Sequence, residues 1–212
     1  LQDKGRYGYS DIGVTNSGVM DEYAYYAANK MLGNSFDTNI LEIAFSNVIF
    51  KANAPTQIAI TGAICELFIN DISKQCWQTH NVKAGDIIKI GKILKGIRVY
   101  LGVLGGFDIK KEFGSNSTTI KENLGGLNGD KLKKGDILAF KEISCSFDAR
   151  FKKELIPSYE DELILRVVLS YQSDLFANEE KEKFFSNSFT VSNDFNRMGC
   201  KLNGESILCD VN

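Results

Sequence analysis

Residues 39–70 read NILEIAFSNVIFKANAPTQIAITGAICELFIN. The apolar runs in this stretch are short, rich in Ile, Val, Phe and Thr, and broken by Asn, Ser, Pro and Gly. Such runs suit extended chain; a helix needs apolar residues at three- and four-residue spacing over roughly ten or more positions. The same texture continues as QCWQTHNV (75–82), DIIKIG (86–91), GIRVYLGVLGG (96–106) and DILAF (136–140). With ILEIAF, NVIFKA, TQIAITGA and CELFIND, these give eight candidate strands between Asn39 and Lys141. Many short strands separated by turn residues predict a mainly β fold, a barrel or a sandwich, in which curling into closure removes unpaired edges. VKAGDIIKI (82–90) and LKKGDILAF (132–140) echo each other, each a Gly-Asp turn delivering an apolar strand, and read as turn chemistry rather than binding sites.

Upstream lies QDKGRYGYSDIGVTNSGVMDEYAYYAANKMLGN (2–34), a glycine-dense loop running into one short helix. Met20, Ala24, Ala27, Ala28 and Met31 form an apolar stripe, predicting a helix from Val19 to Leu32. Ser17 or Gly18 leads in, Asp21 and Glu22 favour the positive end, and Gly33-Asn34 stops it. Asp21, Tyr25 and Asn29 follow at four-residue spacing along the border of the stripe, either a polar edge or a functional one. A loop that needs this much backbone freedom yet carries polar groups is a candidate site. Arg6 offers a bidentate fork for a carboxylate or phosphate, and Asp21 a carboxylate for acid–base work. These two are the catalytic candidates, with an Arg6–Asp21 ion pair as the competing structural reading. Ser17 and Asn29 can orient a carbonyl. Glu42, inside apolar LEIAF, is a buried carboxylate that either does chemistry or satisfies backbone N–H groups.

GSNSTT (114–119) lacks the GK[ST] of a P-loop, but Ser115 and Thr118 can present hydroxyls and amides to an anion; otherwise it is a surface turn. DARFKKELIPSYEDE (148–162) is charged and contains Pro157, so a boundary is expected there, dividing the chain into units 1–150 and 151–212. Beyond it LILRVVLS (163–170) reads as a strand, NEEKEKFF (178–185) as a helical turn capped by Asn178, and FTVSNDFNRMGCKLNGESI (189–207) as strand, turn, strand. About 50 residues is little for an independent core, so the second unit is expected to be incomplete or to borrow core from the first.

The 212 residues carry 25 Lys+Arg against 27 Asp+Glu, a net charge of −2, which lacks the basic footprint of a nucleic-acid binder. No apolar run is long enough to span a bilayer. Five cysteines without a CxxC pair suggest free thiols in a reducing, cytoplasmic setting. The single histidine, His80, removes most zinc sites and a Ser-His-Asp triad unless it serves in them itself, and it reads as structural rather than catalytic.

QDKGRYGY, GVTNSGVMDEYA, ANKMLGN, LEIAF, AITGA, RVYLGVLGGF, FGSNSTT, GGLNGDKLKKGD and NRMGCKLNG occur in order along nearly the whole chain. In these blocks the sequence resembles the family that holds the C component of 5-oxoprolinase, allophanate hydrolase subunit 2 and biotin-dependent carboxyltransferases. The resemblance implies a cyclophilin-like closed β-barrel followed by a second, truncated cyclophilin-like unit whose glycine-rich continuation would follow Asn212. It implies a subunit of an ATP-dependent complex that hydrolyses 5-oxoproline to glutamate together with companion subunits, ATP being bound here or shared with a partner. A non-catalytic regulator of the kinase-inhibitor-antagonist type and a urea-type carboxyltransferase are the alternatives. In the last case biotin arrives on a separate carrier domain, since no Ala-Met-Lys-Met motif is present. Arg197, in Phe195-Asn196-Arg197-Met198-Gly199, is a substrate-binding candidate, although the family's Ser-Asp-Arg-Met-Gly has an aspartate where this chain has Asn196. Ser170-Tyr171-Gln172 replaces the usual Gly-Pro-Gln, and Cys200-Lys201 the usual Tyr-Arg.

Overall fold

The computed structural model describes residues 1–44, 47–143, 147–160, 162–197 and 199–209, with Asn196 described by its backbone. Phe45, Cys145 and Met198, to which the sequence reading extends, lie outside the described residues. The chain divides into two compact units, Leu1–Asp161 and Glu162–Asn212.

In the first unit the order is α1 (Glu22–Met31), β1 (Leu41–Ala44), β2 (Val48–Lys51), β3 (Thr56–Ile69), β4 (Ile72–Lys74), β5 (Thr79–Val82) and β6 (Ile87–Val103). The spine is the antiparallel β3–β6 pair, running from Ile58↔Val103 to Ile69↔Ile88. The short strands extend it: β1 and β2 pair with β6, and β4 and β5 with β3, all antiparallel. TQIAITGA and CELFIND, expected as separate strands, are one strand here, as are DIIKIG and most of GIRVYLGVLGG. Both long strands survive because irregular pairing between Gly62 and Leu67 bends them instead of ending them. Gly62 sits at that bend with φ 86°, and a Cβ there would overlap the Arg98 carbonyl oxygen.

The expected barrel closure is not seen: among the described residues no ladder joins the two ends of the sheet. DILAF forms no strand and contributes one isolated bridge, Phe107↔Phe140. Residues 107–140 instead turn repeatedly, and Leu132, Leu138 and Phe140 cover the core with side chains rather than with a ladder. The echo between the two Gly-Asp segments is real at the turn. The Lys83 N–H donates to Asp86 Oδ2 at 2.8 Å, and the Lys133 N–H to Asp136 Oδ2 at 2.7 Å.

Period-two alternation sorts the side chains onto two faces. Ile58, Ile60, Val99, Leu101 and Val103 enter one core with Leu41, Ile88 and Ile90. Ala59, Tyr100 and Leu104 face α1, packing with Ala24, Tyr25, Ala28, Met31 and Leu32, and the Thr61 hydroxyl, from the same face of β3, donates to the Ala24 carbonyl at 2.7 Å. This is why Tyr100 lies under the helix. The helix starts later than its stripe predicts: Met20 is 50% exposed and precedes it, whereas Tyr25 and Asn29, expected at a polar border, are fully buried.

The second unit holds α2 (Asn178–Ser186) and a hairpin of β7 (Thr190–Asn196) and β8 (Gly199–Asn203). Ala177, not Asn178, occupies the N-cap position of α2. LILRVVLS forms no ladder, and Ile164 and Val168 are each 95% exposed. None of this unit's described residues is buried.

Candidate functional site

The opening loop does not frame an open crevice; it closes a buried polar knot. Asp3 Oδ1 accepts from the Ser115 hydroxyl (2.6 Å), the Ser117 hydroxyl (2.7 Å) and the Gly5 N–H (2.8 Å), while Oδ2 accepts from the Asn116 N–H (2.6 Å). Within GSNSTT, the Ser115 and Ser117 hydroxyls and the Asn116 N–H thus face a carboxylate of this same chain. Arg6, 1% exposed, lies beside it: Nη1 donates to the Thr119 hydroxyl (2.6 Å), Nη2 to the Ser117 carbonyl (2.5 Å) and Nε to the Glu112 carbonyl (3.4 Å). The Ser17 hydroxyl donates to the Thr118 carbonyl (3.1 Å), and the Thr118 N–H to the Leu1 carbonyl (3.0 Å). Arg6, Ser17, Ser115 and Thr118 are thus brought together, each on hydrogen-bond partners from this same chain. The buried guanidinium and carboxylate are linked through Ser117 and take their hydrogen bonds within the chain. Asp3, which organises the knot, carried no sequence signal beyond its charge.

A second cluster forms where the loop enters α1. Asp21 is the N-cap, its Oδ1 accepting from the Ala24 N–H at 2.9 Å. Its Oδ2 accepts from the Tyr159 hydroxyl at 2.8 Å, and its own N–H donates to Tyr100 Oη at 2.8 Å. The Tyr100 hydroxyl in turn donates to Glu42 Oε2 at 3.0 Å, which also accepts from the Met20 N–H at 2.9 Å. Arg98 Nη1 lies 3.4 Å from Glu42 Oε1, with 22% of the Arg98 side chain and 5% of the Glu42 side chain exposed. The pairing Glu42↔Tyr100 across β1 and β6 fixes this geometry. Burial, then the Glu42 charge, push the Tyr100 hydroxyl well above its ordinary pKa; burial, then the bond to Asp21, do the same to Tyr159. Both phenols stay protonated donors, so two carboxylates are held by hydroxyls beside a partly exposed guanidinium. Glu42 takes a backbone N–H, as one of its two readings expected, and also lies beside Arg98.

Of the remaining candidates, Asn29 lies outside both clusters. Asn29 sits at the far end of α1, where Nδ2 donates to the Thr38 carbonyl (3.0 Å) and Oδ1 accepts from Asn34 (3.0 Å). The expected Arg6–Asp21 pair does not form, because Arg6 turns into the knot while Asp21 caps the helix. Arg197 lies in the second unit, in the turn between β7 and β8. Tyr159 was missed by sequence reasoning; its φ of 49° puts a bulky residue in the left-handed region, a conformation that marks functional or tightly held sites. Among the described residues, one cavity of about 880 Å³ has apolar walls that include Phe50, Ile58 and Phe140, and another of about 390 Å³ lies beside His80. Neither is lined by the sequence-predicted residues. Among the described residues no three His, Cys, Asp or Glu side chains gather as a metal site, and no helix is long and apolar enough to cross a membrane.

The carboxyltransferase domain family, subdomain A and B, matches residues 12–210. The chain belongs to that family. Within it, the chain is 36% identical over 217 residues to urea amidolyase of Saccharomyces cerevisiae, covering 96% of this chain and 12% of that protein. It is 31% identical over 206 residues to the C component of 5-oxoprolinase from Escherichia coli, covering 97% of this chain and 65% of that protein. The crystal structure of Kluyveromyces lactis urea carboxylase superposes with a TM-score of 0.86 at 32% identity, over 99% of this chain and 20% of that one. The chain therefore spans less than two thirds of the length of each. The match begins at Ile12, so the carboxyltransferase family region includes Asp21, Glu42, Arg98, Tyr100 and Tyr159.

Proposed function

We propose that this carboxyltransferase-family chain works as one subunit of an ATP-dependent complex that opens amide-type C–N bonds, with 5-oxoproline as substrate and glutamate as product. The observation carrying this reading is the Asp21–Tyr159 and Glu42–Tyr100–Arg98 group, which sets two carboxylates and a partly exposed guanidinium at one loop–helix junction. A lactam needs donors for charge developing on oxygen and a carboxylate to orient water or take its proton. Arg98 would supply the donor, while Asp21 and Glu42 would supply the acceptors, each held by a tyrosine hydroxyl that stays protonated. ATP activates the lactam oxygen by phosphorylation. Its phosphates do not suit GSNSTT, whose Ser115, Asn116 and Ser117 donors face Asp3, so the nucleotide site is assigned to a companion subunit. The same reading places the protein in the cytoplasm and treats the second unit as the opening part of a truncated cyclophilin-like module, a view supported by its lack of buried residues.

A urea-type carboxyltransferase is the second reading, favoured by the 36% identity to yeast urea amidolyase. Biotin would then be carried on a separate domain. The test reconstitutes the full-length protein with its companion subunits and ATP, and follows phosphate release with 5-oxoproline or with urea and bicarbonate. Release with 5-oxoproline that collapses in Glu42→Gln supports the first reading. Release with urea alone transfers the assignment to the second, and stable partner binding without turnover makes the chain a regulatory subunit.

A further inference from the structure

Cys65 on β3 and Cys76, in the turn between β4 and β5, place their sulfurs 3.7 Å apart, and the Cys76 thiol also lies 3.8 Å from the Cys65 carbonyl oxygen. Both are free and half-buried. A disulfide bond length is about 2.05 Å, so the sulfurs need to close by about 1.7 Å. The backbone can yield this, because the β3–β6 register shifts on both sides of Cys65, leaving that residue outside a regular ladder. Cys76 is followed by Trp77, which stands at φ 60° with its N–H on the Ile60 carbonyl (2.7 Å) and its indole on the Gly62 carbonyl (3.2 Å). Trp77 packs on Phe151 at 5.4 Å and Tyr23 at 6.3 Å. The dithiol thus abuts the aromatic group flanking the Asp21 helix entry.

We propose that Cys65 and Cys76 are a reversible oxidation site, closing to a disulfide by exchange with a low-molecular-weight disulfide of the oxidised-glutathione class. The Cys65 thiolate attacks one sulfur of that disulfide, forming a mixed disulfide and releasing one small thiolate, which takes up the Cys65 proton. The Cys76 sulfur then displaces the second small thiolate from Cys65, its own proton leaving with that group. The balance is two protein thiols oxidised to one disulfide, and one small disulfide reduced to two small thiols. The assignment of roles agrees with the thiols' acidity: the Cys76 S–H hydrogen bond holds the Cys65 thiol below its ordinary pKa, while that contact and burial raise Cys76.

Trp77 is the only tryptophan in the chain, so its fluorescence reports directly on the neighbouring sulfur. The experiment incubates the full chain with oxidised glutathione, maps peptides by mass spectrometry and records tryptophan emission. The expected result is a Cys65–Cys76 cross-linked peptide with quenched emission, both reversed by dithiothreitol, both present in the Cys200→Ser/Cys209→Ser variant, and both absent in Cys76→Ser. Persistent glutathione on either cysteine without the cross-link, cross-links confined to other cysteines, or unchanged thiols under conditions that oxidise a control dithiol would each overturn the proposal. Near-UV circular dichroism of Cys65→Ser and Cys76→Ser establishes that their folds are intact, and an oxidation time course in the unsubstituted chain decides the matter if they are not.

Discussion

Asp3 and Ser117 hold each other twice: the Asp3 N–H donates to Ser117 Oγ at 2.9 Å, and the Ser117 hydroxyl donates back to Asp3 Oδ1 at 2.7 Å. The pair joins the first residues of the chain to a segment 114 positions later and lies beside the buried Arg6. Asp3→Asn keeps the shape but turns an NH₂ toward donors and leaves the Arg6 charge without its neighbouring carboxylate. Loss of a buried charged acceptor predicts destabilisation of about 2–4 kcal/mol, read as a lower denaturant midpoint. A change below about 0.5 kcal/mol, the scale of ordinary surface substitutions, would show that the knot does not hold the loop.

The same knot predicts a contrast between two glycines. Gly125 has φ 64°, and a Cβ there would overlap the Ser117 carbonyl oxygen and come within 2.7 Å of Arg6 Nη2. Gly8 has φ 89° and open space around it. Gly8→Ala should cost only the backbone strain, about 1–2 kcal/mol, whereas Gly125→Ala should exceed it by at least about 2 kcal/mol through steric displacement of the knot. Equal thermal shifts for the two variants would contradict the packing described.

Local patterning made the strands and the helix readable, because side-chain alternation and helical spacing act over a few neighbours. The Gly-Asp echo was legible for the same reason, since each turn is closed by an aspartate three residues from its partner lysine. What patterning lacks is long-range accounting. DILAF has strand composition, yet no neighbouring strand offers it a ladder. Asp3 looked like any loop aspartate until Ser115 and Ser117 were folded onto it. Arg6 and Asp21 both suited chemistry, and only the fold separates the one that is sealed from the one at an accessible edge. Tyr159 was invisible because neither its position in a charged linker nor its φ is written in local sequence.

His80 gives a pH prediction with a single readable resonance, as it is the only histidine. Burial lowers its pKa against the opposing effect of the 2.7 Å contact between Nε2 and the Gln75 carbonyl. Between the folded and unfolded values the unfolded chain binds more protons, so stability falls as pH drops from about 6.5 through the folded value. An NMR titration should place the imidazole midpoint below about 6.5, and His80→Gln should flatten the acid slope of the melting temperature over that window. A midpoint above the ordinary histidine value would refute the burial argument.

Tyr159 and Glu42 test whether the helix-entry cluster acts on substrate or only fastens the loop. Tyr159→Phe keeps the ring and its left-handed backbone while removing the hydroxyl that donates to Asp21, so stability should fall by about 1 kcal/mol. Glu42→Gln can still accept from the Tyr100 hydroxyl but loses the charge facing Arg98. In the reconstituted complex it should lower kcat by about 10²-fold or more if the carboxylate handles a proton, with KM changing far less. The pH–rate profile separates the roles further: a proton-handling carboxylate contributes an acidic limb that disappears in Glu42→Gln, whereas a fastening carboxylate leaves the limb in place. If both variants lose stability yet retain kcat per folded molecule, the cluster belongs with the Asp3 knot as structure, and the reacting groups must come from another part of the assembly.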